Sequence, residues 1–118
     1  ANAYMWVLCD EIARVIQSTK DEVYRKAVAN VGFFFPFSCE NVALARWCAV
    51  WESQGAGFFC KVTHEGTERT ELNVYVGSSK YTQEELSRLI EELVAEAENL
   101  GIDTKASREC RALISWKD

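Results

Sequence analysis

An α+β fold is what this sequence predicts: one helix-rich domain over residues 1–118, with a β-hairpin or small antiparallel sheet packed on helices. Three observations carry that expectation. Apolar residues recur every three or four positions near both ends of the chain, as amphipathic helices require. Between them, GFFCKVTH and RTELNVYVG alternate in part and flank a Glu65-Gly66-Thr67 turn, which reads as a hairpin. Thr82-Gln83-Glu84-Glu85 then fits a capping box, where a hydroxyl and a carboxylate satisfy backbone N–H groups at a helix start.

The first helix is expected from about Ala3 to Gln17. Met5, Cys9, Ile12 and Ile16 share a face that Trp6, Leu8, Ala13 and Val15 widen, so burial is expected against the core and a second subunit. Ser18 offers an N-cap for the second helix, with Asp21 and Glu22 where negative charge suits the helix dipole. Val23, Ala27, Val28 and Val31 form its inner face, and Gly32 ends it. The stretch FFFPFS holds the only proline, and Ser38 is the expected cap of a third helix from about Cys39 to Gln54. That helix turns Leu44, Cys48 or Trp47, and Trp51 inward, and Gly55 stops it. A lone hairpin is marginal in water, so the two β-segments need helices against them or strands from elsewhere. In the longest helix Leu86, Leu89, Ile90, Leu93, Ala97 and Leu100 face inward. Burying the larger of these is worth on the order of 10 kcal/mol gross, whereas the exposed Glu84–Arg88 pair contributes about 0.3 kcal/mol. Gly101 and Ile102 end the helix, and a short last one is expected near Ser107–Trp116.

Composition narrows the function. With 48% hydrophobic and 26% charged residues, a packed globular domain is expected. No apolar run is long enough to span a membrane. The first residues lack a secretory-signal pattern, and the cysteine usage reads as a reducing cytosol. The chain opens at Ala1 rather than methionine, which leaves room for an upstream segment. The five cysteines, Cys9, Cys39, Cys48, Cys60 and Cys110, form no C-x-x-C pair, and His64 is the only histidine, so neither disulfides nor a metal site is expected. A net charge of −5 is poor material for whole-surface attraction to nucleic acid, so any such surface must be local.

Four local candidates remain. Cys60 and His64 could pair as nucleophile and base, yet four residues of strand span roughly 13 Å; the reading is of no enzyme, with His64 a solvated turn residue. Phe33, Phe34, Phe35 and Phe37 could stack on bases, but nothing basic lies between Ala27 and Ala45, which favours core or interface. Glu85, Glu91, Glu92 and Glu96 could meet a basic partner, although such a face is usually only wet. Gly77-Ser78-Ser79-Lys80-Tyr81 precedes a helix N-terminus, where unpaired N–H groups attract anions. Against that, Thr82 uses up donors and Lys80 points to water; on the residues alone the two readings stand equal.

Two blocks of the chain resemble the NinB family of phage recombination proteins, the Orf-type mediators. The first is Asn2-Ala3-Tyr4-Met5-Trp6 followed by Ile12-Ala13; the second runs from Val74-Tyr75-Val76-Gly77-Ser78-Ser79 through Glu85-Leu86 and Leu89-Ile90 to Leu100-Gly101-Ile102. The resemblance implies a small α+β homodimer, phage or prophage encoded, that binds single-stranded DNA and cooperates with single-strand binding protein or a recombinase. It brings no cofactor and no catalytic residue. The family's β-rich segment before the Asn-Trp motif is absent from this sequence, and the acidic charge is unusual for a DNA binder. On this basis Ser78, Ser79, Lys80 and Tyr81 are expected to hold phosphate and base, with Lys20, Arg25 and Lys26 as a second basic cluster. The competing expectation is a phage-encoded interaction module, an adaptor or inhibitor of a host protein, using the aromatic stretch and the acidic helix.

Overall fold

The computed structural model describes residues 2–104, so the helix expected near Ser107–Trp116 lies outside the described residues. The fold is α+β, with elements α1 (Asn2–Ile16), α2 (Lys20–Val31), β1 (Phe34–Glu40), α3 (Asn41–Glu52), β2 (Phe59–Glu65), β3 (Arg69–Tyr75) and α4 (Gln83–Asn99). A 3-10 turn, Ser78–Lys80, follows β3. These elements form two compact units. One is helical, from α1 and α2 and from Tyr81 onward; the other, Gly32–Lys80, carries the sheet.

In the helical unit, three apolar stripes close one core. Tyr4, Met5, Leu8, Cys9 and Ile12 of α1 are buried with Val23, Tyr24, Ala27 and Val28 of α2 and Leu89, Ile90, Leu93 and Ala97 of α4. Trp6 packs on Tyr24 with ring centroids 4.6 Å apart. Among the described residues only one side of α1 is covered, and Val7, Val15 and Ile16 remain exposed. Gln17 ends α1 in the left-handed region at φ 58°, and the Ser18 N–H reaches back to Ala13 O at 2.9 Å. The N-cap of α2 therefore falls on Thr19, whose hydroxyl accepts the Glu22 N–H at 3.2 Å, while Ser18 Oγ donates to the Glu22 carboxylate at 2.6 Å. Ser18 is displaced from the cap because its backbone already closes the end of α1.

The α4 start is the capping box read from the sequence: Thr82 Oγ1 accepts from the Glu85 N–H at 3.2 Å, and Glu85 accepts from the Thr82 N–H at 2.9 Å. Its end is equally defined. Gly101 sits at φ 79°, and the Gly101 and Ile102 N–H groups return to Glu98 O and Ala97 O, so two orphan carbonyls are satisfied.

In the sheet unit the strand order is β1-β3-β2, both pairings antiparallel. The strand beyond the expected hairpin is β1, FFPFSCE, in place of the Ser38 cap and the helix start that the sequence predicts there. Pro36 is tolerated because β1 is an edge strand and needs no ladder donor on its free side. The third helix starts instead at Asn41, which is tied to the hairpin: its N–H donates to Glu68 O, its amide to Gly66 O, and it accepts from Thr70 Oγ1. One sheet face, with Cys39, Leu72 and Val74, packs under Leu44, Trp47, Cys48 and Trp51 of α3. Phe37 stacks on Trp47, Trp47 on Trp51, and the Trp51 indole N–H donates to Tyr75 O at 2.8 Å.

Gly77 is fixed by space rather than by its dihedrals. A Cβ there would lie 2.8 Å from Phe58 Cδ2, inside the buried Phe58 ring's envelope. Gly77→Ala is expected to destabilise the protein by about 1–3 kcal/mol through overpacking, and Thr82→Ala by about 1 kcal/mol through removal of the cap. Denaturant titration checks both; a neutral Gly77→Ala would show that Phe58 has room to move.

Candidate nucleic-acid interface

The residues expected to grip phosphate divide between the units. Ser78, Ser79 and Lys80 close the sheet unit as a single 3-10 turn, held by a Lys80 N–H bond to Gly77 O at 3.1 Å. Ser79 and Lys80 are exposed, and among the described residues no carboxylate pairs with Lys80. Tyr81 belongs to the helical unit and is half-buried there. Burial, then Tyr24 and the Glu85 carboxylate, push its phenol above the usual range, and its hydroxyl oxygen is enclosed. The anion-binding capacity of the α4 N-terminus is partly spent. The capping box occupies donors there, and Glu84 and Glu85 place their own negative charge in the first turn.

Lys20, Arg25 and Lys26 are all exposed on α2. At about 100° per residue, Arg25 and Lys26 diverge around the helix, with Glu22 one turn before both and Asp21 one turn before Arg25. The stripe is thus mixed in sign rather than a basic patch.

A third surface was not legible in the sequence. The sheet face turned away from α3 has a regular order set by the register. Phe34, Tyr75 and Phe59 form one cross-strand row, Pro36, Asn73 and Lys61 the next, and Ser38 and Glu71 a third, with His64 opposite Glu71. Phe59 stacks on Tyr75 with centroids 4.6 Å apart and planes 11° apart, and Phe34 leans on Tyr75 from the other side at 5.2 Å. Tyr75 is thereby buried, while Phe34 stays 43% exposed. Beyond this row an open groove of about 410 Å³ is lined by Pro36, Ser38, Thr63, Glu71 and Asn73. The Lys61 ammonium and the Asn73 amide make no hydrogen bond or ion pair among the described residues. Arg69, by contrast, is committed to β1: it donates to Ser38 Oγ and O at 3.0 and 2.9 Å and lies 3.6 Å from the Glu40 carboxylate. The phenylalanines of the FFFPFS stretch have no cation near them in sequence; the strand pairing supplies one from β2.

The Cys60–His64 pair is taken apart by the same register. Cys60 is level with Val74 and His64 with Glu71, three residues apart on β3, so the two side chains lie on opposite faces. A bulge at Thr63 separates them. His64 is an exposed strand residue rather than a turn residue. Cys60 instead joins Cys39 and Cys48 on the α3 side. Among the described residues no group of three His, Cys, Asp or Glu is placed to hold a metal ion, and no helix is long and apolar enough to cross a membrane.

Comparison with protein-family models, with curated proteins and with solved structures finds no match to this chain.

Burial pushes the Cys60 thiol up to about 12, helped by the neighbouring Cys48 thiol and then by the Glu52 carboxylate. Cys9 is likewise held at about 12 by burial and then by Glu96 and Asp21. Because these folded values lie above the unfolded value of 9.0, their contribution to stability is complete below pH 9.0 and is lost as pH rises toward 12. At pH 8 both thiols stay protonated, so iodoacetamide is expected to label Cys9 and Cys60 far more slowly in the native chain than after unfolding. Peptide mapping of the labelled protein checks this; equal rates would contradict a buried Cys9 and a half-buried Cys60 held as neutral thiols.

Proposed function

We propose that this chain is a non-enzymatic DNA-recombination protein of the NinB type, phage or prophage encoded, that binds single-stranded DNA as a homodimer in the bacterial cytoplasm. The observation that carries the reading is Lys80: an exposed ammonium, unpaired with any carboxylate among the described residues, on the 3-10 turn next to two serines. The surrounding unit supports it electrostatically. Within Gly32–Lys80 the cations Arg46, Lys61, Arg69 and Lys80 nearly balance the glutamates, whereas α4 alone sets Glu84, Glu85, Glu91, Glu92, Glu96 and Glu98 against Arg88. A polyanion is thus least repelled by the unit that holds Lys80. Single-strand binding protein or a recombinase is the partner class this role calls for.

A second reading has its own observation. On α3, Val42 is 95% exposed and Val50 65% exposed, which suits a protein surface more than DNA. An adaptor or inhibitor of a host protein would use that face and the acidic α4 helix.

Fluorescence anisotropy with a labelled single-stranded oligonucleotide separates the two. The expected result is binding that weakens with salt, and Lys80→Ala is expected to flatten the logarithmic salt slope by about 0.7, the increment for one neutralised phosphate. No binding at high micromolar protein and low salt would leave the adaptor reading. An unchanged slope in Lys80→Ala would remove this lysine from the interface.

A further inference from the structure

We propose that the open face of the sheet is a base-stacking site for single-stranded DNA, in which Phe34 takes a base, Asn73 its edge and Lys61 the flanking phosphate. The proposal rests on the single-stranded DNA reading and gives it a place on the molecule. Three independent features meet at one end of that face.

The first is a fixed but uncovered ring. Phe34 is 43% exposed on an edge strand, yet its inner side is held against Tyr75, which is itself stacked on Phe59. A ring already ordered loses little side-chain freedom when a base stacks on it, and such stacking accepts any base. The second is an unengaged amide at the centre of the sheet. Asn73 is half-buried in the row beside Phe34 and Tyr75, offers both donor and acceptor, and borders the open groove of about 410 Å³. The third is the division of charge along the face. Lys61 lies in the row of Asn73, and Lys80 follows Tyr75 by five residues. Glu71, Glu40, Glu65 and Glu68 lie toward the hairpin end, where Arg69 is already engaged with Ser38 and Glu40. A phosphodiester is attracted at the aromatic end and repelled at the other.

A helix or strand of a protein partner would need apolar surface continuing across these rows. Below the aromatic row the face instead turns to Asn73, Lys61, Ser38, Glu71 and His64. One aromatic anchor with a single amide and a single cation matches a nucleotide better.

The test titrates the full 118-residue chain into two labelled decamers, one of thymidylates and one of abasic sugar-phosphate units with the same charge. The thymidylate decamer is expected to bind about 5- to 150-fold more tightly, the range that stacking of one base supplies. Phe34→Leu keeps an apolar side chain against Tyr75 but removes the aromatic face. It is expected to weaken thymidylate binding about 5-fold or more and to leave the abasic affinity unchanged. Equal affinity of the native chain for both decamers would overturn the stacking site while leaving the single-stranded DNA reading intact. Failure to bind either decamer would overturn both. The native-chain comparison does not depend on the variant folding.

Discussion

Alternation of side chains along β3 governs the sheet unit. Thr70, Leu72 and Val74 face α3, while Glu71, Asn73 and Tyr75 face the other way, and β3 is hydrogen-bonded on both sides. Its two buried aliphatics organise the cover of α3: Cys39, Phe37 and Cys60 pack with them, and Trp47 and Trp51 stack above. Its outward residues draw Phe34 and Phe59 onto Tyr75 and Lys61 beside Asn73. A slip of one residue would exchange these two sets, placing Glu71 and Asn73 under the tryptophans and Leu72 in water. Core and candidate interface are therefore two consequences of one register. The Asn41 hydrogen bonds to Gly66, Glu68 and Thr70 pin that register at the hairpin end, and the close approach of Gly77 to Phe58 fills the opposite end.

Charge sets the second boundary on function. The net −5 of the chain is concentrated in the helical unit, where α4 spaces glutamates along its outer side and Glu92 accepts from Asn30 at 3.2 Å. Such a helix repels phosphate over about a Debye length of 8–10 Å at ordinary ionic strength. The sheet unit is close to neutral, and on it Lys61 and Lys80 are unpaired among the described residues while Arg69 is not. An acidic protein can in this way offer a polyanion a restricted surface, with modest affinity and a salt slope of only about 0.7 for each lysine engaged.

Much of the fold was legible in the sequence because local chemistry decided it. The α4 capping box, the Gly32 and Gly101 helix ends, the hairpin turn and the inner face of α3 all depend on residues a few positions apart. What was not legible depends on distant partners. FFFPFS shows no alternation, since Phe35 and Phe37 pack on tryptophans of α3 while Phe34 leans on Tyr75, so both faces of β1 are aromatic. A strand with apolar residues on both faces carries no period to read, and Pro36 argues further against it. The sheet face escapes sequence reading for the same reason. Phe34 is followed by no nearby base in sequence, and Lys61 reaches its neighbourhood only through two strand pairings with β3. The Ser78-Ser79-Lys80 corner was visible as a motif, and what the structure adds is that Lys80 is exposed while Tyr81 is half-buried.

NMR mapping of the isotope-labelled chain, as a thymidylate oligonucleotide is added, reads the sheet face residue by residue. The largest changes are expected on the Phe34 ring, the Asn73 side-chain amide and the Lys61 ammonium, one face of one sheet. Changes centred instead on Val42 and Val50 of α3, with that face silent, would contradict a DNA site there.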